Sequence, residues 1–301
     1  ILMVDAQEGV REQTRRHAYL LKFLGLREHI VLVNKMDLAG YAEETYRQLC
    51  AEIDALCAAL GLAGYTFIPV SAAQGDNIAA RSARMPWYTG PTALEALDAL
   101  QKRTRLIDQP FRMPVQDVYD VDGERIVAGR IESGGVREGD RVARWPGGET
   151  VTVSGVREFG RVRRGAAVGE SIGVTLAEDT PVRRGQMLAA LASAPTVSTT
   201  VHGTLFWMAR GALTLGEEVV FRLNTQEARC RVTRIARRLD SATLELIAEN
   251  ASRLEETEVG EVLLETDTPV LLESYAEMPE LGRFVLERRN AIVAGGIVSP
   301  G

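Results

Sequence analysis

Asn34-Lys35-Met36-Asp37 stands directly after the apolar run Ile30-Val31-Leu32-Val33, at the carboxyl end of what reads as a buried strand. The carboxylate of Asp37 can accept two parallel hydrogen bonds from the ring N–H and exocyclic amine of guanine, an arrangement that adenine does not offer. A pocket that pairs polar groups in this way rejects an analogue lacking them, because its own groups are then left bare. The Lys35 stem can lie over the base while its ammonium stays in water. A second apolar run, Phe67-Ile68-Pro69-Val70, ends in Ser71-Ala72-Ala73. Ligands of open α/β sheets sit outside the carboxyl ends of the strands, so two such strand ends can serve one ligand. In that pairing the Ala72 N–H faces the guanine carbonyl oxygen and Ser71 braces the loop. The candidate pocket is therefore Asn34, Lys35, Met36, Asp37, Ser71, Ala72 and Ala73.

Outward from this pair of strands the chain alternates. Ile1-Leu2-Met3-Val4 reads as a further buried strand, ending at Asp5 and a polar turn through Gly9. Val10, Thr14, His17, Leu21 and Leu24 recur at helical spacing and predict a helix that stops at Gly25. After Gly40, the stripe Tyr46, Leu49, Ile53, Leu56 and Leu60 predicts a second helix, with Glu43 and Glu44 in its favoured first turn and Gly61 closing it. Thr92-Ala93-Leu94-Glu95 has capping-box spacing and predicts a third. A βαβαβα run implies a parallel sheet flanked by helices. Between the Ser-Ala loop and that box, Ser82 to Thr92 carries two prolines and the pair Trp87-Tyr88, an ordered loop whose aromatics are expected to pack.

From Gln109 the pattern changes to period two. Phe111 to Tyr119, Ile126 to Ile131, Arg141 to Arg144, Val151 to Val156 and Ser171 to Leu176 are short β-rich runs between turn residues, which predicts a closed antiparallel barrel. Gly134 to Asp140 reads as a turn-rich hairpin and Val182 to Leu188 as another strand. Arg161, Arg163 and Arg164 lie between Glu158 and Glu170 and read as a solvated face. Ala192 to Pro195 reads as a linker. Beyond it, Thr204 to Met208, Glu218 to Leu223, Ala228 to Ile235, Thr243 to Ile247 and Gly260 to Leu264 supply a second barrel. The domains expected are 1–106, 107–192 and 196–301.

Composition sets bounds. At 301 residues with a formal net charge of −6, the chain is long enough for two or three domains, and its acidity argues against a nucleic-acid partner. Cys50, Cys57 and Cys230 form no CxxC spacing and read as reduced thiols of a cytoplasmic protein. His17, His29 and His202 are scattered, so no histidine metal site is expected. No apolar run reaches membrane-spanning length. A phosphate cradle, Gly-x-x-x-x-Gly-Lys-Ser/Thr, is absent: none of Lys22, Lys35 and Lys102 follows a glycine. Asp5 to Gly9 is one residue too long for a magnesium-binding Asp-x-x-Gly. The expectation is that the front part of the nucleotide-binding domain lies outside this chain, that the chain holds no catalytic residue, and that it binds guanine nucleotides weakly at most.

The segment around Met85-Pro86-Trp87-Tyr88 looks like that of elongation-factor-type translational GTPases, and Met113 to Tyr119 with Gly134 to Asp140 resembles their second domain. In the third domain, Leu205-Phe206-Trp207-Met208 and Ile235 to Glu245 resemble the large subunits of sulfate adenylyltransferase, while Gly282 to Gly296 is shared more widely. The resemblance implies the C-terminal part of a P-loop-type GTPase domain followed by two antiparallel β-barrels, an α/β plus all-β architecture. It implies GTP and Mg2+ as cofactors, the magnesium ligands lying in the absent front part. It further implies GTP hydrolysis coupled to formation of adenylyl sulfate and pyrophosphate from ATP and sulfate, with a small catalytic ATP sulfurylase subunit as partner in a heterodimer or larger assembly. In some relatives an adenylyl-sulfate kinase domain follows. The rival resemblance is a translation elongation factor that binds aminoacyl-tRNA.

Overall fold

The computed structural model describes residues 1–23, 26, 28–100, 105–158, 161–243 and 245–299. The chain divides into two compact units, Ile1–Lys102 with Ser241–Glu245 and Arg103–Asp240 with Leu246–Gly301.

The first unit is a parallel sheet of β1 (Leu2–Asp5), β2 (His29–Asn34) and β3 (Tyr65–Pro69), in that order, with helices α1 (Glu12–Phe23), α2 (Glu43–Ala59) and α3 (Ala93–Asp98). Strand β2 is an unbroken apolar run because both of its faces are covered. Ile30 and Leu32 pack with Ile68, Val70 and the α3 residues Ala93 and Ala96. Val33 packs on the opposite cluster with Ala6, Leu49 and Met85. Helix α2 buries Leu49, Ile53, Leu56 and Cys57, close to the predicted stripe. Helix α3 starts with the predicted capping box: the Thr92 hydroxyl accepts the Glu95 N–H at 3.2 Å, and the Glu95 carboxylate accepts the Thr92 N–H at 2.8 Å.

Helix α1 departs from its predicted stripe. It buries Thr14, Ala18, Tyr19 and Phe23, whereas His17 is exposed and Val10 precedes the helix. The inward face is carried by a small residue and by an aromatic pair four apart, with ring centroids at 6.1 Å, which a count of aliphatic positions passes over. Leu24 and Gly25, the predicted helix end, lie outside the described residues. The aromatics of the proline loop pack inward as expected. Trp87 Nε1–H donates to the Tyr41 carbonyl at 3.1 Å, Tyr88 Oη donates to the Pro91 carbonyl at 2.9 Å, and both rings lie against Tyr46.

The second unit holds two closed six-stranded antiparallel barrels. The first joins Arg112–Val121, Glu124–Arg130, Arg141–Trp145, Glu149–Glu158, Ser171–Leu176 and Met187–Ala190 around a core that includes Met113, Val115, Val151, Val174 and Leu188. The predicted hairpin at Gly134 to Asp140 is not one: Gly135–Arg137 pairs instead with the distant Gly165–Ala167. Gly134 and Gly139 are both at positive φ, as their turn chemistry predicts, but the segment between them pairs with the distant one in a small two-stranded sheet of its own. Arg163 pairs with Glu158 at 2.9 Å and Glu170 at 2.6 Å, a self-neutralised face.

The second barrel joins Thr196–Trp207, Glu218–Leu223, Gln226–Asp240, Glu258–Leu272, Arg283–Arg288 and Ala291–Val298. Several strands are longer than predicted, two of them reaching 15 residues, because register shifts bend them around the barrel. The strand predicted over Thr243 to Ile247 lies at Leu246–Ala251; Thr243 is in a turn and Leu244 is outside the described residues. Trp207 is fully buried, its Nε1–H donating to the Gly211 carbonyl at 2.8 Å, while Met208 is exposed. At Gly203 an added Cβ would stand 2.8 Å from Phe284 Cε1, so the ring occupies the space that the missing side chain leaves.

The barrels meet around Met187, Leu271, Met278 and Leu281. Arg112, 1% exposed, crosses this junction: its Nε lies 2.5 Å from Glu273 Oε1, and its other nitrogens donate to the Phe111 carbonyl at 3.1 Å and to Ser193 Oγ at 3.0 Å.

Candidate functional site

The parallel registers Asp5 with Asn34 and Val33 with Pro69 bring three strand ends side by side. Everything that leaves those ends emerges at one edge of the sheet. The chain turns sharply after β2 because Lys35 adopts φ +63° and Gly40 φ +64°, and the turn is closed by Leu38 N–H to Lys35 O at 3.0 Å and Tyr41 N–H to Met36 O at 2.8 Å. Met36 N–H reaches the Val70 carbonyl at 3.2 Å and stitches this turn to the next strand end.

Two contacts then join the predicted loops. Ser71 Oγ donates to Asp37 Oδ1 at 2.6 Å, and the Ala72 N–H donates to Asn34 Oδ1 at 3.0 Å. Ser71 is fully buried, so its hydroxyl holds one carboxylate oxygen of Asp37 in a fixed direction. The Ala72 N–H, expected on the guanine carbonyl oxygen, is thus placed against Asn34, which ends the neighbouring strand within reach of it. Met36 departs from expectation. Its side chain is fully buried in the apolar cluster with Val33, Leu49 and Met85, and it anchors the turn without facing the site. Ala73 is exposed on the Ser-Ala turn.

Two groups of residues escaped the sequence reading. The first is Asp5, which ends β1 with its carboxylate 2.6 Å from Lys35 Nζ. Burial pushes the Asp5 carboxyl up, but the Lys35 ammonium and the N–H groups of Gln7 and Glu8 outweigh it, so the group lies below the usual carboxylate range. The same pair holds Lys35 above the ordinary lysine range. The signal was present in the sequence: an aspartate ends one apolar run as an asparagine ends the next, and parallel pairing aligns such ends.

The second group braces the Ser-Ala loop. Asp76 exchanges two backbone hydrogen bonds with Ser71, at 3.2 and 3.1 Å, and its carboxylate accepts the hydroxyls of Ser82 at 2.7 Å and Tyr41 at 3.1 Å. Arg84 bonds the Tyr41 hydroxyl and lies 3.4 Å from Asp76. Asn77, 1% exposed and at φ +55°, donates its side-chain N–H to the Pro69 carbonyl at 2.9 Å and accepts the Ser82 N–H at 2.8 Å. Replacing Asn77 with alanine strands both backbone partners and puts a residue poorly suited to left-handed φ at this corner. The expected loss is about 2–4 kcal/mol of stability, read by urea denaturation. A loss below about 0.5 kcal/mol would show that the loop does not depend on this brace.

Among the described residues no cluster of three or more His, Cys, Asp or Glu is arranged to hold a metal ion, and no helix is long and apolar enough to cross a membrane.

Residues 1–112 match the family model described as the elongation factor Tu GTP binding domain, and residues 200–299 match that of the GTP-eEF1A C-terminal domain-like family. The chain is 34% identical over 307 residues to elongation factor 1-alpha of Archaeoglobus fulgidus, covering 99% of this chain and 72% of the relative. It is 36% identical over 304 residues to the bifunctional enzyme CysN/CysC of Xylella fastidiosa, covering 100% of this chain and 48% of that enzyme. Among solved structures, sup35 complexed with GMPPNP aligns with a TM-score of 0.63 at 26% identity, over 98% of this chain and 76% of that one. By its two matched family models and its identity to elongation factor 1-alpha over nearly its whole length, the chain belongs to the elongation-factor-type superfamily of translational GTPases.

Proposed function

We propose that the loops carrying Asn34, Lys35, Asp37, Ser71, Ala72 and Ala73 bind the guanine base of GTP, and that in the complete protein this nucleotide drives a sulfate adenylyltransferase of which this chain is part of the large subunit. The observation that carries the base assignment is the Ser71 hydroxyl on Asp37 Oδ1: a buried donor holds the carboxylate in one orientation, as a bidentate acceptor for the guanine edge requires. The residues present fit the base. They offer no phosphate cradle and no metal cluster among those described, so no step of phosphate or magnesium chemistry is assigned to them.

Support for the sulfate branch comes from the third-domain segments Leu205 to Met208 and Ile235 to Glu245 and from the relatedness to CysN/CysC. Sulfate is a poor nucleophile and adenylyl sulfate an unstable anhydride, so coupling to GTP hydrolysis supplies the missing driving force. A transfer-RNA partner would call for uncompensated basic surface. On the strand Gln226–Asp240, Arg231, Arg237 and Arg238 pair with Glu218 at 2.5 Å, Glu261 at 3.1 Å and Glu258 at 2.5 Å, while Arg234 donates to the neutral Asn250 amide at 2.8 Å. The second reading, an elongation factor carrying aminoacyl-tRNA, draws on the identity to elongation factor 1-alpha and on the third-domain family model.

The test is a pull-down with the tagged 301-residue chain. The expected result is recovery of a small ATP-binding sulfurylase subunit that exchanges sulfate-dependent pyrophosphate with ATP. Recovery of aminoacyl-tRNA in its place would overturn the sulfate branch in favour of the second reading.

A further inference from the structure

Lys35 is not a loose surface lysine. Its backbone is fixed at φ +63° at the end of β2, and its ammonium is fixed 2.6 Å from Asp5 Oδ2 at the end of β1. Asp5 is itself held from the opposite side, its Oδ1 accepting the Gln7 N–H at 2.8 Å and the Glu8 N–H at 3.4 Å, while its carbonyl accepts the Gly9 N–H at 3.0 Å. The four methylenes between Cα and Nζ therefore span the mouth formed by two adjacent strand ends, on the same edge as Asp37.

We propose that Asp5 is a positioning residue for purine binding: by anchoring the Lys35 ammonium it holds the lysine stem extended as one wall of the base pocket. The inference rests on the guanine reading given above. An unanchored lysine samples many rotamers and must be ordered when the base arrives, whereas an anchored one presents its apolar stem in advance. The anchor also takes up the lysine's charge, so that Lys35 contributes apolar surface to the base and leaves the recognition of polar edges to Asp37.

Asp5→Asn is a clean test, because the carboxamide oxygen still accepts the two turn N–H groups while the charge is removed. Binding of guanosine monophosphate to the 301-residue chain is followed by NMR titration, with nuclear Overhauser contacts between the Lys35 methylenes and the purine H8 as a second readout. Asp5→Asn is expected to weaken binding by about three- to tenfold and to erase those contacts, with an unchanged thermal midpoint. In a Lys35→Ala background the same substitution is expected to cost nothing further, since there is no stem left to position. Asp5→Glu, which keeps the anion, is expected to recover part of the loss. Equal binding by Asp5→Asn and the parent chain, or an equal loss with and without Lys35, overturns the proposal. An Asp37→Asn control separates the two levels. If that variant shifts preference to xanthosine monophosphate while Asp5→Asn loses nothing, only the positioning role falls. If it shifts nothing, the guanine reading falls and this inference with it.

Discussion

Asp37→Asn is expected to cost the chain about a hundredfold or more in affinity for guanosine monophosphate and to turn its preference toward xanthosine monophosphate. The carboxylate accepts from both the ring N–H and the exocyclic amine, two hydrogen bonds to a charged group, each worth about 1.5–3 kcal/mol. At about 1.4 kcal/mol per tenfold, losing one of them outright, setting donor against donor in its place and reducing the other to a bond with a neutral oxygen together reach about two decades. An asparagine in the same place turns one acceptor into an N–H2 donor. That donor meets the guanine amine head-on but matches the C2 carbonyl of xanthine. The structure indicates which end of the amide changes: Ser71 Oγ, 2.6 Å from Asp37 Oδ1, keeps an oxygen on its own side, leaving the nitrogen where Oδ2 stood. Competition between the two monophosphates for the parent and variant chains measures the switch. An unaltered ratio, with the variant folded, would refute base recognition by Asp37.

Arg112→Ala is expected to be the most destabilising of the substitutions considered, at about 3–5 kcal/mol near neutral pH, because it leaves the Glu273 carboxylate buried without its counter-charge. The loss depends on pH. Burial already raises Glu273 above the ordinary glutamate range, against the pull of Arg112 downward. Removing the arginine removes that pull, so the carboxyl of the folded variant rises further. A carboxyl whose folded pKa lies above its unfolded one binds more protons in the folded state, so stability falls as pH rises through the folded pKa and is regained below the unfolded one. The deficit of Arg112→Ala against the parent should therefore shrink on moving from pH 8 toward pH 5. Denaturant unfolding at the two pH values reads this directly, and a deficit that is the same at both would argue against a buried uncompensated charge. Replacing the pair together, Arg112→Met with Glu273→Leu, is expected to cost less than Arg112→Ala alone, since the ion pair's main role is to satisfy itself.

The amino-acid sequence alone determined the elements and the chemistry at their ends. Apolar runs of strand length, helical stripes such as Leu49, Ile53 and Leu56, the Thr92 capping box and the Asn-Lys-x-Asp and Ser-Ala strand ends are local patterns, legible because side chains within a few residues share one face or one turn. The period-two runs likewise announced two barrels. Tertiary structure decided who meets whom. Gly135–Arg137 found its partner at Gly165–Ala167, Arg112 met Glu273 far along the chain, and Ala72 turned its amide to Asn34. Asp5 reached Lys35 only once two parallel strands stood in register. Such contacts join residues that local periodicity treats as independent. They are fixed by sheet register, barrel closure and the need to satisfy every buried polar group, conditions that exist only after the chain has come together.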